Sequence, residues 1–262
     1  MLRLSVRITL SAVFAAIICF SAFQLWEIES AYRNEAYIHE WLMEFKPEPL
    51  APYADIAPVA ENNAVSPRDG FYDSAAQEPP ILNQSIVDLR LVNSDVIGWI
   101  TIGGTHIDYP FVRCPDNEFY LRRDINKNPA TAGTVFMDYR CCPSFSSPNT
   151  ILYGHNMDNG SIFHDITKFG DKDFFDTHST GVIYLENANY TLEIFAYLIV
   201  EAIDWLSLGD TNAEFLNYIE SHSKHWRDAQ ISSDDRIVTL STCSNEFNNA
   251  RAAIVAKISA KP

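Results

Sequence analysis

Two side chains in this 262-residue chain carry the chemistry of a nucleophile and an acid/base partner. Cys243 closes the run Thr239-Leu-Ser-Thr-Cys243, at the edge between a strand and a loop. A thiol there can be exposed and activated, whereas a mid-strand thiol is usually buried and inert. His155 sits just past another β-rich run, in Tyr153-Gly154-His155-Asn156, where Gly154 permits a sharp turn. If the two strand ends meet in space, the pair can carry out thiolate attack with proton transfer. A third residue joins them through geometry. Should the last two strands form a hairpin centred on Phe247, Arg251 stands opposite Cys243 on the same face, with Cβ atoms about 5 Å apart. A guanidinium there can stabilise a thiolate or bind a developing oxyanion. A loop of this length need not be symmetric, and Arg251 is otherwise an ordinary edge-strand charge.

The elements that must position these residues read mostly as strands. Val96–Ile102 and Ile107–Val112 flank Gly103-Gly104-Thr105, a hairpin by run length and turn chemistry. Gly133–Asp138, Thr150–Tyr153, Gly181–Leu185, Thr191–Val200, Arg236–Thr242 and Arg251–Ile258 follow. Short β-rich runs of this kind, separated by turns and short helices, favour a closed barrel over an open sheet. One helix is expected in the gap before the last two strands. Thr211-Asn-Ala-Glu214 reads as a capping box, and Phe215, Ile219, His222 and Trp226 continue at helical spacing.

Composition narrows the function classes. Nineteen basic against 34 acidic residues give a formal charge of −15, which argues against nucleic-acid binding and a polybasic membrane surface. The five cysteines make no disulfide-dense scaffold and include no C-x-x-C pair, and no spaced carboxylate loop suggests calcium, so no metal is expected. Cys114, Cys141 and Cys142 have no partner fixed by the sequence and are read as free thiols.

The N-terminus is organised differently. Arg3 and Arg7 precede an uncharged run from Ile8 to Trp26, about 28 Å of helix at ~1.5 Å per residue and close to the ~30 Å hydrocarbon core. It reads as a signal anchor (8–26) with residues 1–7 cytoplasmic and the bulk of the chain outside; a cleaved signal peptide is the rival reading. Apolar residues from Ser30 to Phe45 extend the helix beyond it. From Lys46 to Pro80 lies a stretch holding more than half of the 13 prolines, read as a spacer. The organisation expected is thus 1–7, 8–26, a juxtamembrane helix and spacer at 27–84, and one folded domain at 85–262.

At the chemistry-bearing residues the chain resembles the sortases, and among them class B. Thr239-Leu-Ser-Thr-Cys243 matches the family's cysteine signature, Ile151-Leu-Tyr-Gly-His-Asn156 matches its histidine segment, and Arg251 stands where its arginine does. Asn93–Ile100, Ile107–Pro110, Asp116–Leu121 and Gly133–Asp138 read like class B segments in class B order, as does the long helix before the cysteine strand. Ser244 departs from the acidic residue that some members carry there. The resemblance implies a mainly β, closed eight-stranded barrel with a few peripheral helices behind an N-terminal transmembrane helix. It implies a cysteine transpeptidase of Gram-positive surfaces that needs no cofactor, cleaves a C-terminal sorting motif of secreted proteins and passes the acyl group to an amine of the cell-wall precursor or peptidoglycan. Cys243 would be the nucleophile, His155 the acid/base and Arg251 the oxyanion and substrate holder, with Asn117, Tyr153 and Ser241 lining the substrate groove. A cysteine hydrolase on the same scaffold, a pilin-polymerising enzyme and a binding module that has lost catalysis stand as alternatives.

Overall fold

The computed structural model describes residues 2–48, 82–208, 212–244 and 246–260, so most of the Pro-rich segment, and Thr211 of the capping box, lie outside the described residues. Nine strands form: β1 (Val96–Ile102), β2 (Asp108–Val112), β3 (Val135–Met137), β4 (Asn149–Tyr153), β5 (Thr180–Leu185), β6 (Asn189–Glu201), β7 (Ser223–Trp226), β8 (Arg236–Cys243) and β9 (Ala250–Ala260). Eight of them close a ring in the order β5-β1-β2-β3-β4-β8-β9-β6, sealed by β5 pairing with β6. The closed, mainly β barrel expected from the strand pattern is therefore the observed architecture. Closure leaves no long unpaired edge, the feature that makes open sheets liable to association.

The ninth strand corrects the sequence reading. The helix expected to run on to Trp226 ends earlier: it spans Asn212–His222, and Ser223–Trp226 turns into β7. The cause is the length of β6. Its 13 residues pair with β9 along their length, while the 6-residue β5 covers only Asn189–Glu193 of the other edge. β7 fills the edge left open beyond β5, pairing at Ala196, Tyr197 and Leu198. Trp226 then packs edge-on against Phe195, with ring centroids 5.2 Å apart, rather than continuing a helical stripe.

The β1–β2 turn forms as its sequence demands. Ile102 N–H donates to the Ile107 carbonyl at 2.9 Å, and Gly104 takes φ +76°, a conformation that L side chains resist. The main hydrophobic core includes the fully buried Phe111, Phe163, Phe169, Phe195 and Tyr197. A second cluster lies where helix α2 (Gln84–Val92) presents Ile86 and Leu89 to Trp99, Val112 and Tyr120. No periodic signal in the sequence had marked α2.

Helix α1 (Leu2–Met43) carries the apolar N-terminal run, long and apolar enough to cross a membrane, with its side chains exposed from Thr9 to Ile28. Its far end docks on the barrel. Leu42 is 6% exposed within the second cluster, His39 lies on Tyr109 with centroids 4.6 Å apart, and Glu35 accepts hydrogen bonds from Ser161 and Asn159. Truncating a leucine buried to this degree removes contacts and leaves a cavity. Leu42→Ala is expected to destabilise the full chain by about 2–4 kcal/mol, read as a lowered denaturant midpoint. An unchanged midpoint would show that the helix end contributes no packing.

Candidate active site

The three candidate residues converge at one end of the barrel because of two strand registers. β8 and β9 are antiparallel, and the Cα partner of Cys243 is Arg251, the pairing that a hairpin centred on Phe247 requires. The turn is closed by Ser244 N–H donating to the Ala250 carbonyl at 2.9 Å. On the other side β4 runs parallel to β8, with Tyr153 opposite Ser241. Extending that register by two residues brings His155 level with Cys243. The backbones that carry the imidazole, the thiol and the guanidinium thus meet at one end of β4, β8 and β9.

The backbone that carries His155 is held from both sides. Gly154 N–H donates to the Ser241 carbonyl at 3.3 Å, and the Thr242 hydroxyl donates to the Gly154 carbonyl at 2.7 Å. Glycine is needed at 154 for space: an added Cβ would lie 2.8 Å from the Phe163 ring. Phe163 N–H then closes the following turn on the His155 carbonyl at 3.0 Å. The imidazole Nε2 lies 2.7 Å from the Leu121 carbonyl. A carbonyl can only accept, so this nitrogen carries the hydrogen and Nδ1 is left for other partners. Cys243 is exposed at the strand end, while Arg251 is half-buried with Nη1 donating to the Ala250 carbonyl at 3.1 Å.

The candidate groove residues meet through partners that the sequence did not single out. Asn117 Nδ2 and the Tyr153 hydroxyl both donate to Asp138 Oδ2, at 3.0 and 3.3 Å. Arg140 grips the same carboxylate through Nε at 2.9 Å and Nη2 at 2.7 Å, and reaches Asp204 at 2.7 and 2.8 Å. Ser241 accepts from Trp205 Nε1 at 3.1 Å. Burial pushes the Asp138 carboxyl up, yet the bonds from Arg140 and Asn117 outweigh it and hold it below the usual range. Burial raises the Tyr153 phenol, so the hydroxyl stays protonated and donates. Leu121 and Tyr139 leave apolar surface exposed beside His155 and Asn117.

The other thiols sit in different electrostatic surroundings. Burial raises Cys114 and Cys141, whereas hydrogen bonding from Ser144 lowers Cys142 to about 7. A lowered pKa enlarges the thiolate fraction as pH rises through it. Alkylation of Cys142 by iodoacetamide should therefore increase roughly tenfold between pH 6 and pH 8, as read by peptide mass mapping. A steeper rise, approaching a hundredfold, would mean that the thiol keeps its ordinary pKa and that the serines do not stabilise its thiolate.

The closed barrel brings the strand ends that carry Cys243, His155 and Arg251 to one end. The Sortase domain family model matches residues 100–259. Sortase B of Listeria monocytogenes is 37% identical over 185 residues, covering 66% of this chain and 74% of that protein. Among solved structures, the Staphylococcus aureus sortase B–substrate complex has a TM-score of 0.64 at 26% identity, covering 69% of this chain and 87% of that one. A Sortase B solved in complex with triglycine has a TM-score of 0.64 at 27% identity, covering 68% and 87%. The chain belongs to the sortase family, in class B, and is a sortase-type cysteine transpeptidase.

Proposed function

We propose that this transpeptidase cleaves a C-terminal sorting motif of secreted proteins and transfers the acyl group to an amine of the cell-wall precursor or peptidoglycan. The observation that carries the residue roles is the double register, in which Cys243 has Arg251 as its antiparallel partner and the β4 end that precedes His155 pairs with Ser241 and bonds to Thr242. In the first step the Cys243 thiolate attacks a backbone carbonyl carbon of the motif. The carbonyl electrons move onto oxygen, and Arg251 donates to that oxyanion. Collapse breaks the C–N bond as His155 protonates the leaving amine, giving a thioester on Cys243. In the second step an incoming amine attacks the thioester, gives its proton to His155, and the thiolate departs. With Nε2–H held by the Leu121 carbonyl, Nδ1 is the nitrogen that moves the proton.

The substrate and triglycine complexes of relatives support a peptide donor and an amine acceptor for this chain too. Asn117, Tyr153 and Ser241 are the proposed donor contacts, set around the same end of the barrel. Residues 8–26 are the proposed membrane anchor, with 85–262 as the catalytic domain outside the cell, supported by the exposed apolar length of α1. The test incubates the full chain in detergent with peptides spanning the C-terminal regions of proteins secreted by the source cell, with and without triglycine. A ligated product seen by mass spectrometry is expected. Hydrolysed peptide alone, at every triglycine concentration, would overturn transpeptidation in favour of a cysteine hydrolase.

A further inference from the structure

We propose that Asp138 is the positioning residue of the donor groove, fixing the side chains of Asn117 and Tyr153 in the orientation that receives the peptide. The inference rests on the reading of those two residues as donor contacts. Asp138 follows β3 and is fully buried, and its own N–H is anchored to β4 through the Ile151 carbonyl at 3.0 Å. Its carboxylate faces donors only. Oδ1 accepts from Arg140 N–H and Nε at 3.0 and 2.9 Å; Oδ2 accepts from Arg140 Nη2, Asn117 Nδ2 and the Tyr153 hydroxyl.

This arrangement decides which way Asn117 points. A carboxylate cannot donate, so the Nδ2 end of the amide must face it, and Oδ1 is taken by Tyr139 N–H at 3.1 Å. Arg140 alone would satisfy the charge of Asp138; the further acceptance from two neutral side chains is what ties the carboxylate to the groove. The far edge of the same guanidinium holds Asp204, whose neighbour Trp205 donates to Ser241. Asn117, Tyr153 and Ser241 come from separate parts of the chain, and the Asp138–Arg140–Asp204 bridge links the segments that bear them. An asparagine at 138 keeps the size, but an amide NH2 turned toward Asn117 and Tyr153 sets donor against donor.

The test uses the donor peptide that yields ligated product in the assay above, with triglycine as acceptor. Asp138→Asn should raise KM for the peptide about tenfold or more while kcat changes less than about threefold. The rate of iodoacetamide labelling mapped to Cys243 should stay at the parent value, which general loosening of the barrel would alter. Asn117→Ala and Tyr153→Phe, which remove the two donors shared by Asp138, should have KM effects that fail to multiply by about threefold or more when combined. If both single variants raise KM and Asp138→Asn does not, the proposal falls and the groove reading stands. If neither single variant moves KM, the groove reading falls and takes the proposal with it. Should Asp138→Asn fail to fold, the double-variant cycle decides, and independent, multiplying effects overturn the coupling.

Discussion

Replacing Cys243 with alanine is expected to abolish ligation and leave the barrel folded. The thioester can form only on the attacking sulfur, so its removal should cost on the order of 10⁴-fold or more in rate. The fold should not notice. Cys243 is the exposed last residue of β8, while the strand's stability comes from the buried Ile237 to Thr242 and from pairing on both edges. A substitution at such a position changes stability by about 0.5 kcal/mol or less. Because Cys142 has a lowered pKa, the variant should retain alkylation at Cys142 while losing labelling by a thiol-reactive peptide mimic. Substantial ligation by Cys243→Ala, with Cys114, Cys141 and Cys142 intact, would move the nucleophile elsewhere.

The second large effect is expected at Arg251. Its place opposite Cys243 suits a guanidinium that donates paired hydrogen bonds to a carbonyl as it becomes an oxyanion. Lysine keeps the charge and loses the planar fork. Arg251→Lys should therefore remain folded and lose about 10²–10³-fold in kcat/KM, with Arg251→Ala somewhat worse. Steady-state kinetics beside a thermal melt would separate the two effects. A lysine variant within a few-fold of the parent would mean that Arg251 supplies charge alone.

What could be read from the chain follows the range of the interactions involved. The Cys243–Arg251 pairing was legible because a short hairpin with alternating faces leaves few registers open. The pairing of β4 with β8 was not, since it is a parallel contact between distant parts of the chain. The helical spacing of Ile219, His222 and Trp226 runs past the true end of the helix, and nothing local announces that β6 offers an open edge. Helix α2 is not legible in the sequence because nine residues with two buried positions make too short a pattern. Asn117, Tyr153 and Ser241 follow from family likeness, whereas Arg140 and Asp204 carry no motif and Asp138 stands out only as the end of the family-like segment Gly133–Asp138. Their significance lies in which side chains the closed barrel brings to one carboxylate. The Leu121 carbonyl that fixes the His155 tautomer is backbone, and no residue type signals it.

The central claim, acyl transfer through a thioester on Cys243, is tested most directly by intact-protein mass spectrometry. The full chain would be mixed with the donor peptide without amine, quenched in acid and mapped. The account predicts an adduct equal to the N-terminal fragment of the peptide, confined to the peptide containing Cys243. It should discharge as ligated product when triglycine is added and be absent from Cys243→Ala. An adduct on Cys142 or another residue, or turnover with no adduct under conditions where His155→Ala also reacts normally, would contradict it.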